Sequence, residues 1–174
     1  MATPVLFCVG GAGGIGSACS RLFVQRGWRV CILDLVSSAG VALASELGSS
    51  ASFHAVDIAS EDSIRSAFAA ALAFSEGRLD SLVIMSASFL YGEVHTISEA
   101  EWAKVCAINV AGPALCIKQA IPVMRAARRG NIVLTSSITA VRGYRRLQRP
   151  THTSPRFSSP MILHRAYLAA PSSP

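Results

Sequence analysis

A run of glycines directly after a short apolar segment constrains the fold of this chain more than any other feature. Residues 5–9 are all apolar, and Gly10, Gly14 and Gly16 follow them, with a helical pattern that opens at Ile15. In a strand–turn–helix unit the first glycine permits a tight turn, the second lets the backbone approach a pyrophosphate, and the third allows close packing of helix on strand. The helix start adds N–H donors and partial positive charge. The segment predicts a dinucleotide-binding turn, and a glycine-rich turn without a ligand is the alternative.

The chain up to about residue 144 alternates short apolar runs with longer stretches of helical period. This alternation is typical of a parallel sheet with helices on both faces. We predict strands at residues 5–9, 29–33, 52–56, 81–85 and 131–135, and helices at residues 15–26, 38–47, 60–76 and 98–127. The predicted fold class is α/β, a doubly wound parallel sheet of the Rossmann type that is incomplete after the fifth strand.

Two of the predicted helices carry local signals. Residues 60–62 read Ser-Glu-Asp, which is typical of a helix start, and Ile64, Phe68 and Ala71 then fall on one apolar face. In the fourth helix, Pro122 predicts a kink in the last turns or the start of a new short helix.

The character of the sequence changes after Tyr144. All ten acidic residues lie at or before Glu101, and all thirteen glycines lie at or before Gly143. Residues 145–174 instead hold five of the eight prolines, five serines and five arginines. We therefore predict a dinucleotide-binding domain over residues 1–144 and an irregular or disordered basic tail over residues 145–174.

Composition argues against several other classes of protein. The most apolar run is interrupted by Asn109, so we expect no membrane span, and the first residues lack the basic region of a secretory signal. The basic residues come without a recognition motif, so we expect no nucleic-acid partner. Neither cysteines nor histidines show metal-ligand spacing, which predicts no metal site and a reducing, cytoplasmic location. The five cysteines, all in apolar segments, are Cys8, Cys19, Cys31, Cys106 and Cys116.

Asp34 follows the second predicted strand, eighteen residues after Gly16. A carboxylate at this position would accept a hydrogen bond from the 2′-hydroxyl of the adenine ribose and repel a 2′-phosphate. No basic residue follows to reverse that preference, so the predicted cofactor is NAD. A solvated aspartate at a strand end is the alternative.

From residue 5 to about residue 144 the chain resembles a short-chain dehydrogenase/reductase. The family's TGxxxGxG turn matches the three glycines described above, with Val9 in place of the threonine. The resemblance implies that the Asp57 side chain and the Ile58 amide hold the adenine, although an aspartate that only forms a turn is an alternative. The family's NNAG element falls at residues 84–87, where Ser86 and Ala87 imply backbone support for the nicotinamide ribose without side-chain hydrogen bonds.

Two catalytic positions follow from the same resemblance. Asn109, in Asn-Val-Ala-Gly, is similar to the helix asparagine that holds a water in a proton relay, and a polar group in an apolar helix needs a partner. Ser137 matches the serine whose hydroxyl hydrogen-bonds the substrate carbonyl. The family's Tyr-x-x-x-Lys pair, which transfers the proton, has no match: Tyr144 is followed by Gln148, and the last lysine is Lys118.

The resemblance implies an NAD-dependent oxidoreductase that transfers hydride between the cofactor and a small alcohol or carbonyl substrate, inactive as written because this pair is missing. We interpret the joint loss of pattern near residue 144 as truncation by a shifted reading frame or altered splicing, because divergence of the motif alone would preserve the alternation of strands and helices downstream. An NAD-binding protein without turnover, a binding module that uses the basic tail, and a non-functional truncated product are the alternatives. The helix around residues 98–127 could pair two copies in a dimer.

Overall fold

Five parallel strands form the centre of the fold. The computed structural model describes residues 2–90 and 94–137, and its strands lie in the order β3-β2-β1-β4-β5. Because the chain reverses its direction of winding at β1, a crevice opens at the carboxyl ends of β1 and β4, where doubly wound sheets bind ligands. The predicted Rossmann-type sheet is confirmed, with each strand end within one residue of its predicted place. The strands are β1 Val5–Val9, β2 Arg29–Asp34, β3 Ala51–Ala55, β4 Ser81–Ile84 and β5 Asn131–Leu134.

The helices connect successive strands and cover both faces of the sheet. They are α1 Gly14–Gln25, α2 Gly40–Leu47, α3 Glu61–Phe74, α4 Glu99–Cys106 and α5 Gly112–Ala127, with short 3-10 turns at Gly48–Ser50 and Val94–Thr96. α3 begins as predicted, because the Ser60 hydroxyl accepts a hydrogen bond from the Ser63 N–H at 3.3 Å. The predicted helix 98–127 is α4 and α5 joined by a π-helical segment, Ala107–Ala111. Pro122 lies inside α5, and no new helix begins there.

Side-chain alternation along the strands sends residues to two separate cores. On one face, Phe7 of β1 is fully buried and meets Phe68 of α3 edge to face, with ring centroids 5.5 Å apart. α5 packs on the same face through Cys116, Ala120 and Met124. On the other face, α1 and α2 cover a second core. Its buried members are Leu6, Cys8, Val30, Ile32, Leu43, Ala51 and Val83.

Among the described residues, the α4–α5 stretch is the one helix that is both long and apolar enough to cross a membrane. By length and composition Glu99–Ala127 could cross a membrane, so the expectation that no stretch is apolar enough is wrong by that criterion. A helix in the core of a soluble protein passes the same test, and this one buries Cys116, Ala120 and Met124 in the core on the α3 side of the sheet. The composition therefore does not distinguish a membrane helix from a core helix.

Asp80 lies just before β4 and connects the amino ends of β1, β4 and β5. Its carboxylate accepts a hydrogen bond from the Val5 N–H at 2.8 Å and ion-pairs with Arg78 and, at 2.9 Å, with Arg129. Burial disfavours the charged carboxylate, but the bonds from Arg78 and Val5 and the charges of both arginines together lower the pKa of Asp80 below its ordinary value. This carboxylate lies at the amino ends of the strands, opposite the crevice, and stabilises the fold.

β5 is the last strand of the described sheet, and its two faces differ. Ile132 is buried against the core on the α5 side, whereas Val133, on the α1–α2 side, is 48% exposed. Within the described residues β5 pairs with β4 alone. The remainder of the predicted domain, residues 138–144, and the predicted tail, residues 145–174, lie outside the described residues.

Candidate dinucleotide-binding site

The carboxyl ends of the central strands surround an open cleft of about 550 Å³. It lies at the switch point between β1 and β4, and its volume is in the range of small-molecule sites. Most of the residues predicted to bind a cofactor are brought together here. The lining residues are Val9, Gly10, Gly13, Asp34, Leu35, Val56, Asp57, Ile58, Met85, Ser86, Ala87, Ser88, Lys104 and Ile108.

Packing requires glycine at Gly10 and at Gly16, on the two sides of the turn after β1. Gly10 has φ +76°, its N–H donates to the Leu33 carbonyl at 2.8 Å, and a Cβ there would lie 2.6 Å from the Ser86 nitrogen. A Cβ at Gly16 would lie 2.0 Å from the Gly10 carbonyl oxygen. The turn is therefore pressed between the end of β4 and the first turn of α1, and a side chain at either position would force the backbone to move.

Gly14 and the start of α1 are open in contrast. A Cβ at Gly14 would meet no described atom within 4 Å, so packing does not require glycine there. α1 begins without a side-chain cap and without an acidic residue in its first turn, and Ile15 is 71% exposed. First-turn N–H groups without a capping side chain can bind an anion, and the helix dipole favours negative charge at this end.

Asp34 lies at the end of β2 and faces this turn. Its Oδ2 accepts a hydrogen bond from the Ala12 N–H at 2.9 Å, and its Oδ1 accepts one from the Leu35 N–H at 2.8 Å. These bonds fix the orientation of the carboxylate in the lining of the cleft. Each carboxylate oxygen has two lone pairs, so Asp34 can accept further hydrogen bonds from a ligand hydroxyl.

Asp57 and Ile58 follow β3 on the same side of the cleft. Asp57 Oδ1 accepts a hydrogen bond from the Ala59 N–H at 2.9 Å, which is the contact of a turn-forming aspartate. The Asp57 N–H donates to the Ser63 hydroxyl at 2.9 Å, so α3 holds the turn in place. Ile58 is buried and packs against Gly112, where a Cβ would lie 2.5 Å from its side chain. Both residues line the cleft.

Asn109 is buried in the π-helical segment and has a backbone partner. Its Oδ1 accepts a hydrogen bond from the Ser88 N–H, and its Nδ2 donates to the Ser88 carbonyl, both at 2.8 Å. The amide thus fixes the segment that follows β4. These two bonds give Asn109 a positioning role, and the amide keeps one N–H and one lone pair for the predicted contact with a water.

Ser86 and Ala87 lie between β4 and this anchored point. The neighbouring Met85 N–H donates to the Val9 carbonyl at 2.8 Å, which holds the segment beside β1. The Ser86 hydroxyl oxygen is buried and has no hydrogen-bond partner within residues 2–90 and 94–137. Such a buried unpaired oxygen is rare in proteins and calls for an explanation.

Ser137 lies three residues beyond β5, at the same edge of the sheet. The Thr135 N–H donates to the Ile84 carbonyl at 3.1 Å, so the segments after β4 and β5 run side by side. Ser137 is not among the lining residues of the cleft. All three tyrosines of the chain, including Tyr144, lie outside the described residues.

Lys104 of α4 is a lining residue that the sequence did not indicate. Its helix position gave no sign that it faces the same cleft as Asp34, because the two are brought together only by the fold. Lys118 lies elsewhere and pairs with Glu61 at 2.7 Å. The cleft therefore contains one cationic side chain among its described lining residues.

The cysteines lie away from the cleft lining, and two of them are not buried although all five belong to apolar segments of the sequence. Cys106 is exposed and Cys19 is half-buried. A hydrogen bond from Cys8 lowers the pKa of Cys19 to about 7. The same hydrogen bond, together with burial, raises the pKa of Cys8. Burial raises the pKa of Cys31 and of Cys116 to about 12. No group of three His, Cys, Asp or Glu side chains in the described part of the chain could hold a metal ion.

Comparison with known proteins identifies the family. Residues 4–148 match the short chain dehydrogenase family. The chain is 39% identical to sex determination protein tasselseed-2 of Zea mays, covering 80% of this chain and 43% of that protein. It is 35% identical to momilactone A synthase of Oryza sativa subsp. japonica, covering 78% of this chain and 50% of that protein.

A solved structure described as ElxO with NADP bound is similar with a TM-score of 0.72 and 27% sequence identity, covering 83% of this chain and 59% of that one. The chain spans about half the length of the curated relatives it matches. The match over residues 4–148, the parallel five-stranded sheet and the glycine turn at its switch point together show that this chain belongs to the short-chain dehydrogenase family.

Proposed function

We propose that this chain binds NAD in the cleft between β1 and β4. The observation that carries the proposal is the start of α1, where uncapped N–H groups and the open position at Gly14 leave room for a pyrophosphate beside Gly10. A capped helix, or packing that filled the space at Gly14, would have excluded an anion. The NADP bound to the similar solved structure supports a nicotinamide dinucleotide as the ligand.

The preference for NAD over NADP rests on Asp34. Its carboxylate is held by two backbone N–H groups on the cleft wall, where it would accept bonds from the ribose hydroxyls and repel a 2′-phosphate. Lys104 lines the same cleft and favours a phosphate, so the two charges oppose each other. We expect Asp34 to dominate because backbone bonds fix its orientation, whereas Lys104 is exposed.

Isothermal titration with NAD and NADP tests this preference. The unmodified chain should bind NAD more tightly than NADP. Asp34→Ala should narrow this difference in affinity, and Asp34→Arg should reverse it. Asp62→Ala is a matched control, because it removes an exposed carboxylate of α3 that pairs with Arg65. Equal affinity of the unmodified chain for both dinucleotides would refute the role of Asp34.

We further propose that the 174-residue chain binds the cofactor without turnover. When bound, the cofactor supplies hydride exchange with a small alcohol or carbonyl substrate. Ser137 would orient the substrate oxygen, and Asn109 holds the segment after β4. Neither side chain can exchange a proton near neutral pH, and the sequence has no Tyr-x-x-x-Lys pair. Positioned proton transfer contributes on the order of 10² to 10⁴ in rate.

A panel of alcohols and ketones followed at the nicotinamide absorbance band tests this second proposal. We expect no turnover above the uncatalysed background in samples where titration shows bound NAD. Turnover that disappears in Ser137→Ala or in Tyr144→Phe would contradict it, and the tyrosine result would identify Tyr144 as the proton carrier.

The proposal extends to assembly and location. The α4–α5 stretch exposes Cys106 and Val110, the latter at 51%, which supports pairing of two copies through residues 98–127. Sedimentation of the unmodified chain and of Val110→Asp tests the dimer, and an unchanged sedimentation coefficient would argue against it. The five free cysteines support a cytoplasmic location, which cell fractionation tests.

A further inference from the structure

The unpaired hydroxyl of Ser86 is the starting point for an inference about the cleft. Its oxygen is buried and has no hydrogen-bond partner within the described residues. Burying a hydroxyl without a partner disfavours the folded state, and alanine at this position would avoid that cost. A ligand that gives the hydroxyl a partner would recover the lost hydrogen bond.

The position of Ser86 indicates which part of a ligand it could reach. Ser86 lines the cleft, and its backbone nitrogen lies 2.6 Å from where a Cβ of Gly10 would stand. It follows β4, on the opposite side of the switch point from Asp34 at the end of β2. A dinucleotide spans the crevice between the two halves of a doubly wound sheet. With the adenine ribose at Asp34, the nicotinamide ribose falls on the β4 side.

The backbone around Ser86 is held on both sides. Met85 bonds to β1, and the Ser88 backbone bonds twice to the buried Asn109 side chain. The segment is therefore fixed, and rotation about the Cα–Cβ bond of Ser86 is the freedom that remains. The three staggered rotamers of Ser86 differ by about 120° in the χ1 dihedral angle. In each of them the hydroxyl can both donate and accept a hydrogen bond.

We propose that the Ser86 hydroxyl turns into the cleft and hydrogen-bonds the nicotinamide-side ribose of the bound dinucleotide. This inference rests on the proposed binding of NAD and adds a side-chain contact where the sequence implied backbone support alone. Ser86 thereby strengthens binding of the whole dinucleotide and leaves binding of its adenosine diphosphate part unchanged.

Titration with NAD and with ADP, which lacks the second ribose, tests the assignment. In Ser86→Ala we expect NAD to bind about 3- to 10-fold more weakly, as for loss of one hydrogen bond, with ADP affinity unchanged. The melting temperature of the ligand-free variant should equal or exceed that of the unmodified chain, because an unpaired hydroxyl has been removed. Ser66→Ala, an exposed position on α3, is the matched control and should change neither affinity.

The outcomes separate this inference from the proposed function. Unchanged NAD affinity in Ser86→Ala, or equal loss of NAD and ADP affinity, would overturn the ribose contact while leaving cofactor binding intact. A lowered melting temperature of the ligand-free variant would assign Ser86 a structural role and also overturn it. If the unmodified chain bound neither NAD nor ADP, the proposed function would fail and the ribose contact with it.

Discussion

Replacing Asn109 by alanine should lower the free energy of unfolding. If Asn109 only ordered a water, the replacement would leave the stability of the fold unchanged. The side chain is 5% exposed and makes two reciprocal hydrogen bonds with the Ser88 backbone, both at 2.8 Å. Each bond contributes about 1 kcal/mol net, and the stranded Ser88 groups add a partial desolvation cost because Ser88 is only half-buried. We expect Asn109→Ala to lower the free energy of unfolding by about 2–3 kcal/mol.

Urea unfolding followed by circular dichroism measures this loss. In thermal unfolding it corresponds to a fall in melting temperature of roughly 5–10 °C for a domain of this size. Asn131→Ala removes an exposed amide at the start of β5 and is the matched control, with an expected change under about 0.5 kcal/mol. The same small change in Asn109→Ala would refute the positioning role.

Three further predictions concern other parts of the fold. Gly16→Ala should destabilise by about 1–3 kcal/mol in urea unfolding, because its Cβ would meet the Gly10 carbonyl at 2.0 Å; unchanged stability would contradict that clash. Asp80→Asn should cost about 2 kcal/mol at pH 7. Since the folded pKa of Asp80 is lowered, its stabilisation is present above about pH 4 and is lost as pH falls through the folded value, so a pH-independent difference would argue against the ion pairs. In hydrogen exchange, the amides of Ile132 and Leu134, on the outer edge of β5, should exchange before those of the residues bonded to β4, and equal protection would show that this edge is covered.

Local patterns were sufficient for most of the fold. The apolar run at residues 5–9 and the glycine turn after it predicted β1 and the start of α1, because short-range sterics fix both. The strand ends fell within one residue of their predicted places, because a glycine, serine or aspartate lies at or within two residues of each observed strand end. These signals require no knowledge of distant neighbours.

The parts that sequence reasoning missed depend on contacts between distant residues. The π-helical segment within the predicted helix 98–127 brings Asn109 to Ser88, twenty-one positions away in sequence. Lys104 of α4 lines the cleft together with Asp34 of β2, and no periodicity predicts which helix face lies there. The unpaired oxygen of Ser86 is visible only once the surrounding atoms have been placed.

The structure also separates the proposed cofactor site from Ser137 along the chain. The turn at Gly10, the carboxylate of Asp34 and the segment held by Asn109 all belong to residues that pack on β1, β2 and β4. None of these contacts involves β5. In the described sheet this strand lies on the far side of β4 from β1, and its Val133 side chain is exposed. The cleft therefore derives its geometry from the first four strands, whereas Ser137 lies three residues past the end of β5. A perturbation of β5 should consequently weaken any chemistry at Ser137 before it weakens the binding of the dinucleotide.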